Sequence, residues 1–97
     1  MVHETERVLA FHDITPRAPR HLLVIPKPHF TTVGEMALAD PLLAGEVLAV
    51  AHEVAKEQGI DGSGYRLVFN TGADGGQTVF HVHCHVLGGR RMTWPPG

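Results

Sequence analysis

One stretch constrains this chain more than any other: His81-Val82-His83-Cys84-His85-Val86 alternates polar and apolar side chains with a strict period of two. A β-strand sends successive side chains to opposite faces. The pattern therefore predicts a strand with three imidazoles on one face and Val82, Cys84 and Val86 packed on the other. At about 3.4 Å per residue, neighbouring histidines stand ~7 Å apart and the outer pair ~14 Å apart, so one small ligand reaches two of them and hardly all three. A purely structural strand rarely stacks partly charged rings in this way. Metal chelation by a His-x-His pair is the stronger rival. Against it, the outer rings are splayed too widely for one ion at ~2.0–2.1 Å per bond. Cys84 falls on the wrong face to help, so the expectation is a site without a metal or other cofactor.

Composition narrows the class of chemistry. Ninety-seven residues predict one domain over 1–97 with a tail at 90–97, small enough that association with a second copy would add to its buried surface. The net charge is −2 with neutral histidines, and no run of lysine or arginine extends along any segment. A nucleic-acid groove and an anionic membrane surface are thus not expected partners. A single cysteine excludes an internal disulfide and a cysteine-based zinc cluster, and fits a reducing cytoplasm. No apolar run approaches the ~18 residues of a membrane span.

The remaining segments supply a scaffold and a few polar groups. Val2–Glu4 and Val8–His12 read as a hairpin around Thr5-Glu6-Arg7. Asp13 follows where that strand ends, in a stretch broken by Pro16 and Pro19. Its carboxylate suits either an Asx turn or the paired hydroxyls of a ribose. The apolar run His21–Pro26 reads as a central strand closed by Pro26 and Pro28, with His21 and His29 bracketing it. Phe30–Leu38 is expected to be a loop with a helical turn near Gly34–Met36. Asp40-Pro41 is a helix start, and Leu43, Val47, Val50 and Val54 form the stripe that packs on a sheet. Gly59 ends that helix. Tyr65–Asn70 is the next strand, with Asn70 offering an amide at its end. In Thr71–Thr78 the glycines allow positive φ and close approach of the backbone, which predicts an anion-binding nest of N–H groups when paired with the histidines. The Gly-Lys-Ser/Thr ending of a P-loop is missing.

His81-Val82-His83-Cys84-His85-Val86-Leu87 resembles the His-φ-His-φ-His-φ-φ motif, φ being apolar, of the histidine triad family. Phe11-His12-Asp13-Ile14 with Pro16, His21–Lys27, Asp74–Thr78 and Trp94-Pro95-Pro96-Gly97 resemble its Hint branch, so the likeness runs along essentially the whole chain. It implies an α+β meander: an antiparallel sheet of about five strands with one long and one short helix, paired across a homodimer into one continuous sheet. It also implies hydrolysis of purine nucleoside phosphoramidates of AMP or GMP type. By position, His83 would be the nucleophile that carries the nucleotide covalently, His85 would stand beside phosphate and leaving group, and His21 and His81 would support them. Asp13 and Asn70 would contact the ribose and its surroundings, Phe11 and Ile14 would face the base, and Gly76, Gln77 and Thr78 would form the phosphate loop. Trp94 would reach the partner's site.

Members of this branch usually carry a longer segment ahead of the first strand that completes the base pocket. Here Met1 comes almost at once, so either the chain begins late or a true start lies upstream, and base affinity is the property on which this departure bears most. The residue types suit the chemistry. An imidazole near pKa 6.5 serves as neutral nucleophile or charged stabiliser, and two displacements at phosphorus replace one difficult hydrolysis. Two other readings share most of these residues: a dinucleoside polyphosphate hydrolase, which the Trp94–Gly97 ending disfavours, and an adenine nucleotide-binding module without turnover.

Overall fold

The computed structural model describes residues 2–97. Its elements run β1 (His3–Glu4), β2 (Val8–His12), β3 (Arg20–Pro26), α1 (Val33–Ala39), α2 (Pro41–Glu57), β4 (Tyr65–Val68) and β5 (Cys84–Gly88). The strands form one sheet in the order β1-β2-β3-β5-β4, every neighbouring pair antiparallel. The expected α+β architecture with one long and one short helix is thus present. Only β1 to β3 follow a simple meander, however, because β5 inserts between β3 and β4.

Helix α2 starts where Asp40 caps it: the carboxylate accepts from the Leu43 N–H at 3.1 Å and from Arg7 Nη2 at 2.6 Å, tying the β1–β2 turn to the helix. Satisfying an otherwise unpaired first-turn donor while placing a negative charge at the helix N-terminus explains why Asp-Pro begins it. Leu43, Val47, Val50 and Val54 are all buried, joined by Ala51 and Ala55. They meet Val8 and Ala10 of β2, Leu22 and Val24 of β3, and Cys84 and Val86 of β5 in one core. At roughly 1.5–3 kcal/mol for each large side chain removed from water, this face carries most of the stabilisation. Cys84 is fully buried, and burial pushes its thiol pKa up to about 12. It is inert packing, as its side of the strand predicted.

As the sequence reading expects, Gly59 ends α2: the helix runs to Glu57 with Gln58 as its cap, and the reversal falls at Gly59, whose φ is +73°. Other boundaries differ. The segment before α2 is a two-turn helix, capped by Thr32, rather than a loop with one turn. β4 stops at Val68, two residues short of Asn70. Most consequentially, β5 begins at Cys84, so only His85 of the three alternating histidines lies in a strand. The cause is Pro26: the β3–β5 register sets Val24 opposite Cys84, which would put Pro26 opposite Val82, and proline has no N–H to extend the ladder. The alternation itself persists, with Val82, Cys84 and Val86 buried and the three histidines half-buried.

Candidate active site

The sheet face opposite the helices carries the histidines. His85 sits between two ladder partners, Leu23 of β3 and Val68 of β4. His21, at the start of β3, is 4% exposed and stands across from Leu87. These side chains, with His83, Asp13, Arg17, Asn70 and Thr78, line an open cavity of about 580 Å³. His83 and His85 have ring centroids 5.0 Å apart, and His21 and His85 5.2 Å apart.

Backbone groups determine which ring nitrogens hold protons, because an amide N–H only donates and a carbonyl only accepts. Arg17 N–H donates to His21 Nδ1 at 3.0 Å, so the proton of neutral His21 is on Nε2. That Nε2–H donates to His85 Nδ1 at 2.9 Å, which leaves His85 with its proton on Nε2. His83 Nδ1–H donates to the carbonyl of His81 at 2.9 Å, leaving Nε2 with the free lone pair. The cavity wall therefore holds one imidazole, His83, with a free Nε2 lone pair and a neighbour, His85, with a free Nε2–H. Burial lowers the pKa of His85, helped by the neighbouring His83 and His21, and burial likewise lowers that of His21 against the pull of Asp13. Both rings are thereby held toward the neutral form this arrangement requires.

His81 is placed apart from the other two. Its Nε2–H donates to the Pro26 carbonyl at 2.8 Å, and its Nδ1 accepts from His29 Nδ1–H at 2.9 Å. Its ring lines a separate apolar cavity of about 180 Å³ with Phe11, Leu23, Ile25, Val79 and His83. Of the three alternating histidines, His83 and His85 line the larger cavity and His81 and His83 the smaller. His29 is a residue whose part the sequence reading missed. It was visible only as a histidine after two prolines, and its contact with His81 spans 52 residues of sequence.

Several other residues sit differently from the sequence expectation. Asp13 Oδ1 closes an Asx turn with Thr15 N–H at 2.8 Å, while Oδ2 lies 3.5 Å from His21 Nε2, so one carboxylate makes the turn and faces the cavity. The glycine loop is a closed turn and not an open nest. Gly76 N–H donates to the Ala73 carbonyl and Gln77 N–H to the Gly72 carbonyl, both at 3.0 Å. The Gln77 amide is buried in the same turn, accepting from Gly72 N–H at 2.9 Å and donating to the Thr31 carbonyl at 2.7 Å. Gly76 and Gln77 line the cavity, but as its frame. Asn70 Nδ2 holds the loop through the Gly75 carbonyl at 2.7 Å. Gly75 is required there, since a Cβ would stand 2.3 Å from the Thr71 carbonyl oxygen. Thr78, by contrast, is exposed at the cavity. Phe11 lines the apolar cavity, whereas Ile14 is 98% exposed and joins neither. Trp94 is 80% exposed, with the Arg66 guanidinium 5.9 Å from its ring centre.

Asp13, His21 and His85 place three potential ligand atoms within 4.8 Å of one another. His21 Nε2 and His85 Nδ1 already share a proton, so an ion bound through those two nitrogens would have to displace it.

An open cavity with paired histidines, set on one face of an antiparallel sheet with the helices on the other, is the arrangement that the comparisons with known proteins place. A HIT domain model matches residues 1–92, and the chain belongs to that family. A 14 kDa zinc-binding protein of Zea mays is 49% identical over the whole chain and 77% of its own length. A HIT-like protein of Synechocystis is 48% identical over the whole chain and 84% of its length. A HIT family hydrolase from Legionella pneumophila superposes with TM-score 0.94 at 50% identity, covering 99% of this chain and 86% of that one. A histidine triad nucleotide-binding protein from Candida albicans gives 0.80 at 28% identity, over 96% and 71%. The fold is thus that of the HIT domain.

Proposed function

We propose that this chain hydrolyses purine nucleoside phosphoramidates, as in the Hint branch, through a nucleotide held covalently on His83. The observation that carries the reading is the His83 ring: Nδ1–H is fixed on the His81 carbonyl, so Nε2 presents its lone pair beside a neutral donor, His85. His83 Nε2 attacks the α-phosphorus while the phosphorus–nitrogen bond breaks. The electron pair leaves with the amine, which takes a proton from solvent, and the water that attacks in the second step returns one. Water then attacks the same phosphorus, releasing the nucleoside monophosphate and restoring His83. His85 Nε2–H and the Thr78 hydroxyl stabilise charge on the phosphoryl oxygens. Asp13 Oδ2 accepts from the ribose hydroxyls, and the apolar cavity beside His83 takes the flat base of an AMP- or GMP-type substrate.

Two copies pair through the outer edge of β4 in this reading, and the exposed Trp94 of each reaches the other's site. No helix among the described residues is long and apolar enough to cross a membrane, and the activity is assigned to the cytoplasm. Release of AMP from an adenosine phosphoramidate tests the proposal. Turnover of dinucleoside polyphosphates alone would favour the other hydrolase reading, and binding of AMP without any turnover would leave a sensing module.

A further inference from the structure

A bound nucleotide brings a phosphate into the reaction cavity, yet the loop expected to receive it is closed. The N–H groups of Gly76 and Gln77 are taken by carbonyls of the same turn, and that of Gly72 by the Gln77 side chain. What remains toward the cavity is neutral. His85 offers its Nε2–H and Thr78 a hydroxyl, while burial holds His21 and His85 toward their uncharged forms. Only two lining residues carry a full charge: Asp13, whose carboxylate repels an anion, and Arg17. The one permanent positive charge at the cavity is therefore the Arg17 guanidinium.

The loop around Arg17 is built without using that group. Its N–H donates to His21 Nδ1 at 3.0 Å, and its carbonyl accepts from Arg90 Nη2 at 3.1 Å. Pro16 and Pro19 restrict the chain on either side, and the neighbouring Ala18 is buried. Main-chain contacts thus pin the residue. The side chain is exposed and takes no part in the ion pairs of the described residues, which are His3–Glu57, Arg7–Asp40, His21–Asp13 and Lys27–Glu4. Its charge nonetheless reaches the histidines: burial lowers the His21 pKa, Asp13 raises it, and Arg17 adds to the lowering. A cation with no structural partner, at the wall of an otherwise neutral or acidic cavity, is what an anionic ligand requires. We infer that Arg17 is the phosphate-binding residue of the reaction cavity, its guanidinium pairing with the phosphoryl oxygens of the bound nucleotide. The inference rests on the nucleotide reading of this cavity and deepens it by naming the group that holds the phosphate. A guanidinium suits the task because its planar donors pair with two oxygens at once and stay charged at any working pH.

Calorimetry with AMP and with adenosine tests this, since the two ligands differ only in the phosphate. The wild-type protein should bind AMP more tightly than adenosine, by a margin that shrinks with added salt. Arg17→Gln should cut that margin about fivefold and leave adenosine affinity unchanged, the size expected of one partly exposed charge pair. Arg17→Lys should restore part of it, because the charge returns without the two-pronged geometry. Lys56→Gln, exposed on α2, should keep the wild-type margin. Both main-chain contacts of residue 17 survive these substitutions, so an equal loss of AMP and adenosine affinity would mark the side chain as structural and overturn the inference. An unchanged margin in Arg17→Gln, or no binding of AMP to the wild-type protein, would overturn it too, even with phosphoramidates cleaved as proposed. Conversely, Arg17-dependent binding of AMP by a protein that cleaves no phosphoramidate would refute the hydrolase reading and support the phosphate contact.

Discussion

The two halves of the histidine segment are held by different means. From Cys84 onward, main-chain pairing with β3 and β4 fixes each residue, and His85 inherits its position from a central strand. From His81 to His83 no ladder exists among the described residues, because Pro26 ends it. The chain is gripped instead by the Pro26–Phe30 segment: His81 Nε2–H on the Pro26 carbonyl, His29 on His81, and Val82 N–H on the Phe30 carbonyl at 2.7 Å. The proposed nucleophile, His83, thus sits on the half held by a few side-chain and loop contacts, next to His85, which the sheet positions. Distributed ladder bonds make one half tolerant of any single loss. The other half depends on a few contacts at a time.

Mutations separate these halves. His83→Ala should reduce phosphoramidate turnover by roughly three orders of magnitude or more while AMP affinity stays within about tenfold, ~1.4 kcal/mol, because ground-state contacts remain. Steady-state rates alongside calorimetry check this. Leu22→Ala, in the laddered half opposite Val86, should cost about 2–5 kcal/mol of stability by urea unfolding, by opening a cavity in the core. Activity of the remaining folded fraction should be nearly unchanged. His29→Ala should do the reverse. It should lower kcat by about tenfold with little change in KM or unfolding midpoint, because one hydrogen bond of ~0.5–1.5 kcal/mol is lost while misaiming of His83 is felt in the reaction. Partial recovery with His29→Gln, whose amide can still donate to His81 Nδ1, would confirm that the bond and not the bulk matters. A uniform fall in stability and kcat would remove the distinction between the halves.

The laddered half was largely legible in the sequence, since alternation, proline stops and the Leu43–Val54 stripe are local patterns that a sheet and helix must satisfy. The grip on the other half was not. His29 and His81 are 52 residues apart, and nothing in either neighbourhood marks them as a pair. The glycine loop misled for a related reason. Its composition permits an open nest, but the Gln77 side chain, reaching back to Gly72, closes the turn from within. Arg17 and Arg90, 73 residues apart in the chain, likewise meet only through folding.

Two smaller effects sharpen the account. Folded-state pKa values of His21 and His85 lie below 6.5, so the unfolded chain binds more protons in that range. Their contribution to stability is complete above pH ~6.5 and is lost as pH falls through the lowered folded values. Urea midpoints should therefore decline between neutral and mildly acidic pH, and substituting His21 by Asn should flatten that part of the slope. Exhaustive chelation should leave turnover unchanged, and added zinc should inhibit by taking the nitrogens that His21 and His85 share. A stoichiometric metal whose removal stops turnover would replace the proton relay with metal chemistry.

The central claim is that His83 becomes bonded to phosphorus. Acid quenching during turnover of an adenosine phosphoramidate, followed by peptide mass spectrometry, reads it directly. The account predicts a gain of one adenylate on His83, formed and discharged at rates compatible with kcat and absent from His83→Ala. Continued turnover with no adduct in single-turnover time courses, or an adduct carried by His85, would contradict it.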